Sequence, residues 1–148
     1  MSAPAPTPAP TPTPTPTPTG TKLTGTVIGT SSYDTTNDKT KVFDGSFTTF
    51  FDGSTSPAWV GLDLGISKTL NRVKYAPRST WASRMVGGKI QGSSTATFKS
   101  PVTLFTIGSA PTEGVLTSQT ISGSYRYVRY LSPAGGYGNI AELEFWSN

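Results

Sequence analysis

Strict alternation over Ile140 to Trp146 constrains this chain more than any other feature. It puts Ala141, Leu143 and Phe145 on one face and Ile140, Glu142, Glu144 and Trp146 on the other. That is the period of a half-buried β-strand. A C-terminal strand carrying this much apolar mass needs a partner earlier in the chain, so Glu142 is expected back against a distant segment rather than in a tail. Gly135-Gly136-Tyr137-Gly138-Asn139 leads into the strand as a loop.

From Thr21 onward, no segment holds a helical period for three turns. Short apolar runs alternate instead with Gly, Ser, Pro and Asp punctuation. The strand candidates are Trp59–Leu64, Asn71–Ala76, Lys89–Gly92, Val102–Ile107, Tyr125–Leu131 and Ile140–Trp146. Val102–Ile107 is apolar on both parities, which places it centrally in a two-layer packing. Tyr125–Leu131 carries aromatic rings on both parities, so its facing is open. Six strands at this spacing predict an all-β, antiparallel sandwich of jelly-roll type.

Before Thr21 the pattern changes. Proline occupies alternate positions from Pro4 to Pro18, mostly paired with Thr. Such a run cannot bury anything and favours extended, solvated polyproline geometry, reaching about 50 Å over its length. Residues 1–20 are therefore expected to be a disordered Pro-Thr linker, and residues 21–148 one folded module. No membrane-spanning apolar run or signal peptide is present, so the chain reads as a piece excised from something larger.

The net charge of +4 is spread along the folded part without a basic stripe, and no basic amphipathic helix exists. Nucleic-acid binding is not expected, nor is membrane binding, and the module is read as a monomer. The absence of Cys excludes disulfides, and the absence of His removes the commonest general base. Eight acids remain: Asp34, Asp38, Asp44, Asp52, Asp63, Glu113, Glu142 and Glu144. Asp44-Gly45-Ser46 followed by Thr49 is a tight acidic turn able to fold oxygen atoms inward, as a hard cation requires. It lacks a second carboxylate. Read alone, it is equally a hairpin turn, and Asp52-Gly53 reads as another.

Several blocks together resemble the discoidin, or coagulation factor V/VIII C-type, superfamily. They are Lys41-Val42-Phe43-Asp44-Gly45-Ser46-Phe47-Thr48-Thr49-Phe50-Phe51, Trp59-Val60-Gly61-Leu62-Asp63-Leu64-Gly65, Val73-Lys74-Tyr75-Ala76-Pro77-Arg78, Tyr127-Val128-Arg129 and Ala141-Glu142-Leu143-Glu144-Phe145. Within the superfamily the chain is most similar to family 32 carbohydrate-binding modules. The resemblance implies a galactose-binding-like sandwich, a structural calcium ion and ligand binding by loops at one end. It places Glu142 beside the acidic turn. Its implied calcium ligands are the Asp44 and Glu142 carboxylates, Thr49 through hydroxyl and carbonyl, and the carbonyls of Lys41, Ser46 and Ala141. Relatives often have Asp or Asn at the position of Ser46, a change that a backbone ligand survives.

For ligand binding, the informative loop is Ala76–Gly88. Trp81 stands outside any alternating pattern, flanked by Arg78 and Arg84. An exposed indole meets the C–H face of a pyranose, while guanidinium groups donate to its hydroxyls. Tyr137 and Asn139 offer a second aromatic ring and an amide, on a loop whose glycines permit close approach. Structural alternatives stand beside these roles: Trp81 as a loop anchor, Arg78 in a salt bridge, Tyr137 packed under its own loop. Trp59 and Trp146 are assigned to packing.

The expectation is a non-catalytic, secreted carbohydrate-binding module that targets an appended polysaccharide-degrading enzyme to its glycan. A glycan-binding adhesin and a phospholipid-surface binder are the alternatives. An enzyme would need carboxylates flanking a cleft, or a nucleophile with its base, and the composition is poor in both.

Overall fold

A computed structural model describes residues 2–14 and 20–148. The expected linker at 15–19, like Met1, lies outside the described residues. Residues 2–14 carry no helix or strand and are exposed throughout. The folded part contains β1 (Thr21–Lys22), β2 (Thr26–Gly29), β3 (Phe51–Asp52), β4 (Trp59–Pro77), β5 (Lys89–Ser93), β6 (Val102–Thr106), β7 (Thr117–Leu131) and β8 (Gly138–Ser147). Two short 3-10 turns, Lys39–Phe43 and Ala82–Met85, complete it.

Every strand pairing is antiparallel. The strands run β1-β8-β4-β7-β5-β6, with β2 also on β4 and β3 also on β8. Two layers arise because β4 and β7 pair along their length and bend together. Between Asp63↔Tyr127 and Lys68↔Tyr125, five steps along β4 match two along β7. Gly65, at φ +81°, turns the chain there while its N–H donates to Asp63 Oδ1 at 2.8 Å. Before the bend β4 lies between β2 and β7, and after it between β7 and β8.

The buried parity holds across this bend as far as Leu70 and changes at a second irregularity, between Leu70 and Arg72. Val60, Leu62, Leu64 and Leu70 point inward before that second irregularity, Val73 and Tyr75 after it. They meet Phe51, Ile90, Val128, Tyr130, Leu143 and Phe145 in one core. In β7, Val128 and Tyr130 are the inward residues, which settles its facing.

Trp59–Leu64 and Asn71–Ala76, expected as separate strands, are the two arms of β4. β6 is an edge strand, not a central one, and Val102 is 47% exposed. Its apolar residues on both parities signalled burial that neighbouring strands do not supply. β8 departs in the opposite sense: Gly138 to Leu143 are buried on both faces, because β3 and the Lys39–Phe43 turn cover the side that alternation would leave to solvent. Asp52 belongs to β3 and pairs with Gly138, so Asp52-Gly53 is not a free hairpin turn.

Candidate functional site

β8 is irregular at two places, and both matter. Against β4 it pairs Ala76↔Glu142 and Pro77↔Ile140, leaving Ala141 as an extra residue. Against β3 it pairs Phe51↔Ile140 and Asp52↔Gly138, leaving Asn139 extra at φ +59°. Bulges of this kind release backbone groups from the ladder and re-aim side chains.

The first irregularity brings Glu142 to the acidic turn. Glu142 Oε1 accepts the backbone N–H of Gly45 at 2.8 Å and of Ser46 at 3.2 Å. Gly45 has φ +78°, a conformation that glycine adopts without steric cost. Asp44 Oδ2 accepts from Thr49 Oγ1 at 2.6 Å, and Asp44 Oδ1 from the Ser46 N–H at 2.9 Å. Glu142 is only 2% exposed. Burial, with the Asp44 carboxyl beside it, pushes Glu142 up to about 7. Partial burial also acts to raise Asp44, but the hydrogen bonds from Thr49 and Ser46 outweigh it and hold the group below its ordinary value.

Two carboxylates on two segments thus meet with a threonine hydroxyl, an all-oxygen set of the type a calcium ion takes. No group of three or more acidic, His or Cys side chains gathers among the described residues, so backbone oxygens would have to complete such a site. Ala141, freed by its bulge, is a source of one. The donor chemistry fits calcium.

The second irregularity organises the opposing loops. Asn139 is 1% exposed, and its Oδ1 accepts from Arg78 Nη1 at 3.3 Å and Arg84 Nη1 at 3.0 Å. Its carbonyl accepts the Arg78 N–H at 3.0 Å. The Arg78 guanidinium lies 3.8 Å over the Phe50 ring, and that of Arg84 lies 3.8 Å over Trp81. Phe50 directly follows Thr49, so the acidic turn and the arginine cluster are continuous. Trp81 is 38% exposed with one face taken by Arg84, and Tyr137 is 45% exposed.

Both loops are fixed from below. Trp81 N–H donates to Arg78 O and Arg84 N–H to Trp81 O, each at 3.0 Å, while Met85 is fully buried. Ser132 Oγ donates to Ala58 O at 2.7 Å, and Gly53 N–H to Tyr137 O at 2.6 Å. All five sequence-predicted binding residues therefore converge at one end. Arg78, Trp81, Arg84 and Tyr137 reach its surface, whereas Asn139 holds the arginines from beneath. An open depression of about 430 Å³ lies there, lined in part by Ser83, Arg84, Pro133, Gly136 and Tyr137. Sequence reasoning missed Tyr33, which sits at the same end in a segment without apolar alternation. It treated Asp52 as a turn residue.

The expected packing tryptophans stay out of this site. Trp59 meets Phe98 with ring centroids 5.2 Å apart, and Trp146 lies under Lys74 Nζ at 4.3 Å.

The architecture is thus a two-layer antiparallel sandwich with an aromatic and guanidinium-rich loop end. The F5/8 type C domain profile matches residues 27–143, and the chain belongs to that family. Among solved structures, the chain is similar to the family 62 carbohydrate-binding module of Clostridium thermocellum Xyl5A, at 48% identity and a TM-score of 0.81. The match covers 84% of this chain and 95% of that one. The family 32 module of AlyQ, solved in complex with 4,5-unsaturated mannuronic acid, is 25% identical with a TM-score of 0.69, covering 86% and 99%. A truncated AlyQ with its family 32 and alginate lyase domains shares the fold at 23% identity and a TM-score of 0.70, covering 87% of this chain and 34% of that one. No curated protein matches the chain.

Proposed function

We propose that residues 21–148 are a non-catalytic carbohydrate-binding module, that a structural calcium ion joins the acidic turn to β8, and that the Pro-Thr run tethers the module to a secreted polysaccharide-degrading enzyme. One observation carries the reading: the buried amide of Asn139 fixes Arg84, which stacks on Trp81, and Arg84 and Tyr137 line an open depression. Aromatic surface with fixed donors is what a hydrated, neutral-faced pyranose needs. The 48% identity with the Xyl5A module supports it, and a relative carrying both a family 32 module and a lyase domain supports the tether.

The distribution of acids favours binding over catalysis. Asp63 is tied to Arg126, and Glu144 to Lys22 and the Trp146 indole N–H. Asp38 caps the Lys39–Phe43 turn and Asp34 accepts the Asn37 N–H. With Asp44 and Glu142 engaged together, Asp52 lines a loop-end hollow in which no second carboxylate takes part. A glycosidase needs a pair across its cleft. Calcium, where bound, supplies the positive charge that a buried Glu142 otherwise lacks.

Affinity electrophoresis against a polysaccharide panel tests the reading. Binding on the order of 10 μM to 1 mM is expected from a shallow site. Trp81→Ala removes the indole and also the ring on which Arg84 rests, so retention should be lost with an unchanged circular dichroism spectrum. Arg84→Ala should weaken binding by about 1 to 3 kcal/mol. Normal retention of Trp81→Ala would place the site elsewhere.

A further inference from the structure

Arg84 and Tyr137 wall two depressions, not one. On the far side of them a second open hollow of about 400 Å³ is lined by Tyr33, Asp52, Gly53 and Ser54. Tyr33 is 74% exposed, more than any other large apolar side chain among the described residues. The main chain around it is well held: Tyr33 N–H donates to Asp52 O at 2.8 Å and Asp52 N–H to Asn37 O at 3.0 Å. These bonds fix β3 while leaving the Asp52 carboxylate free. Ion pairs among the described residues are Lys22–Glu144 and Arg126–Asp63, so Asp52 and Arg84 line one hollow with opposite charges and do not pair.

The reason lies on the Arg84 side. Its guanidinium is committed to the Asn139 amide and stacked on Trp81, which keeps it from swinging to the carboxylate. The result is a held donor and an unpaired acceptor that line one hollow. A group that fits between them must donate on one side and accept on the other. A hydroxyl does both; neighbouring hydroxyls on one sugar edge do so with the ring held flat against a tyrosine. A ligand carboxylate only accepts, so it would satisfy Arg84 while bringing its charge towards Asp52.

We propose that this second hollow is a subsite for a neutral sugar residue, whose hydroxyls bridge the Asp52 carboxylate and the Arg84 guanidinium beside the Tyr33 ring, and that Asp52 selects against uronates. The proposal rests on the carbohydrate-binding reading. It makes the loop end a two-lobed surface, with Arg84 and Tyr137 shared between adjacent sugar residues.

The test compares the whole chain with Asp52→Asn, Tyr33→Ala and Trp81→Ala on galactomannan, arabinoxylan, xyloglucan, alginate and polygalacturonate gels. Melting temperatures serve as the folding control. The wild type should be retained by at least one neutral polymer in preference to both polyuronates. Asp52→Asn keeps the shape and removes the charge: it should weaken neutral-polymer binding at least tenfold and shift the neutral-to-uronate ratio towards uronates. Tyr33→Ala, at an exposed position, should weaken neutral binding several-fold without altering the melting temperature. If Asp52→Asn and Tyr33→Ala bind like wild type on a polymer whose retention Trp81→Ala abolishes, the subsite is wrong and the module reading stands. A wild type that prefers a polyuronate, or an Asp52→Asn variant that tightens on the preferred polymer, also overturns it. Retention on none of the five overturns both.

Discussion

Asn139 shows how one residue can govern a surface that it does not reach. Its left-handed backbone suits Asn and Gly and costs other residues about 1 to 2 kcal/mol. Its side chain meanwhile fixes two guanidinium groups. Asn139→Gly keeps the backbone conformation and releases the arginines, so polysaccharide retention should fall while the melting temperature moves little. Asn139→Ala should lower both. Equal melting losses in the two variants would show that the amide stabilises the fold rather than the binding geometry. From sequence, Asn139 reads as an amide offered to ligand, because spacing reveals that it is near the loop but not that a β-bulge turns it inward. Trp81 was legible for the opposite reason: its neighbours are too small and polar to be core. Tyr33 was not, since an aromatic ring in a Ser- and Asp-rich loop has no periodicity to betray it.

At the scale of elements, β8 couples its strand to the acidic turn through Glu142, and the coupling has a pH signature. In the metal-free protein the folded chain keeps a proton on Glu142 up to about pH 7, whereas the unfolded chain releases it near the ordinary value of 4.5. Between those pH values the folded state binds more protons, so stability falls as pH rises and levels off above 7. Thermal melts in chelator should therefore show a higher melting temperature at pH 5 than at pH 8. Glu142→Gln should flatten that slope, and a flat wild-type profile would refute the assignment. Calcium should reverse the trend, because the ion needs the carboxylate ionised and stabilises the state that binds it. Chelation at pH 8 should accordingly lower the melting temperature of the wild type and leave that of Glu142→Gln nearly unchanged. The strands themselves were largely legible, since alternation marks Ile140–Trp146 and the arms of β4. The extra residues at the β4 bend and at Ala141 were not: bulges are defined by a partner's register, which no local pattern contains. β6 was misplaced for a related reason, because periodicity reports the apolar faces of a strand and not how many neighbours it has.

Across the whole molecule, burial separates the folded part from residues 2–14, which are exposed without secondary structure. Deleting residues 1–20 should leave both the melting temperature and the polysaccharide affinity unchanged, and a loss of several degrees would show that the segment docks. The polarity of the fold also has a mechanical consequence. β8 starts at the arginine- and aromatic-rich loops with Gly138 and finishes beside β1, where Lys22 pairs with Trp146 and Thr21 with Ser147. Ten residues of strand put about 30 Å between the two poles. Both ends of the folded part consequently leave from the pole opposite the loops. A body attached at either one would trail behind the module if the loops met a surface, without passing through the contact itself, and at the N-terminal end the length of the Pro-Thr run would set its reach.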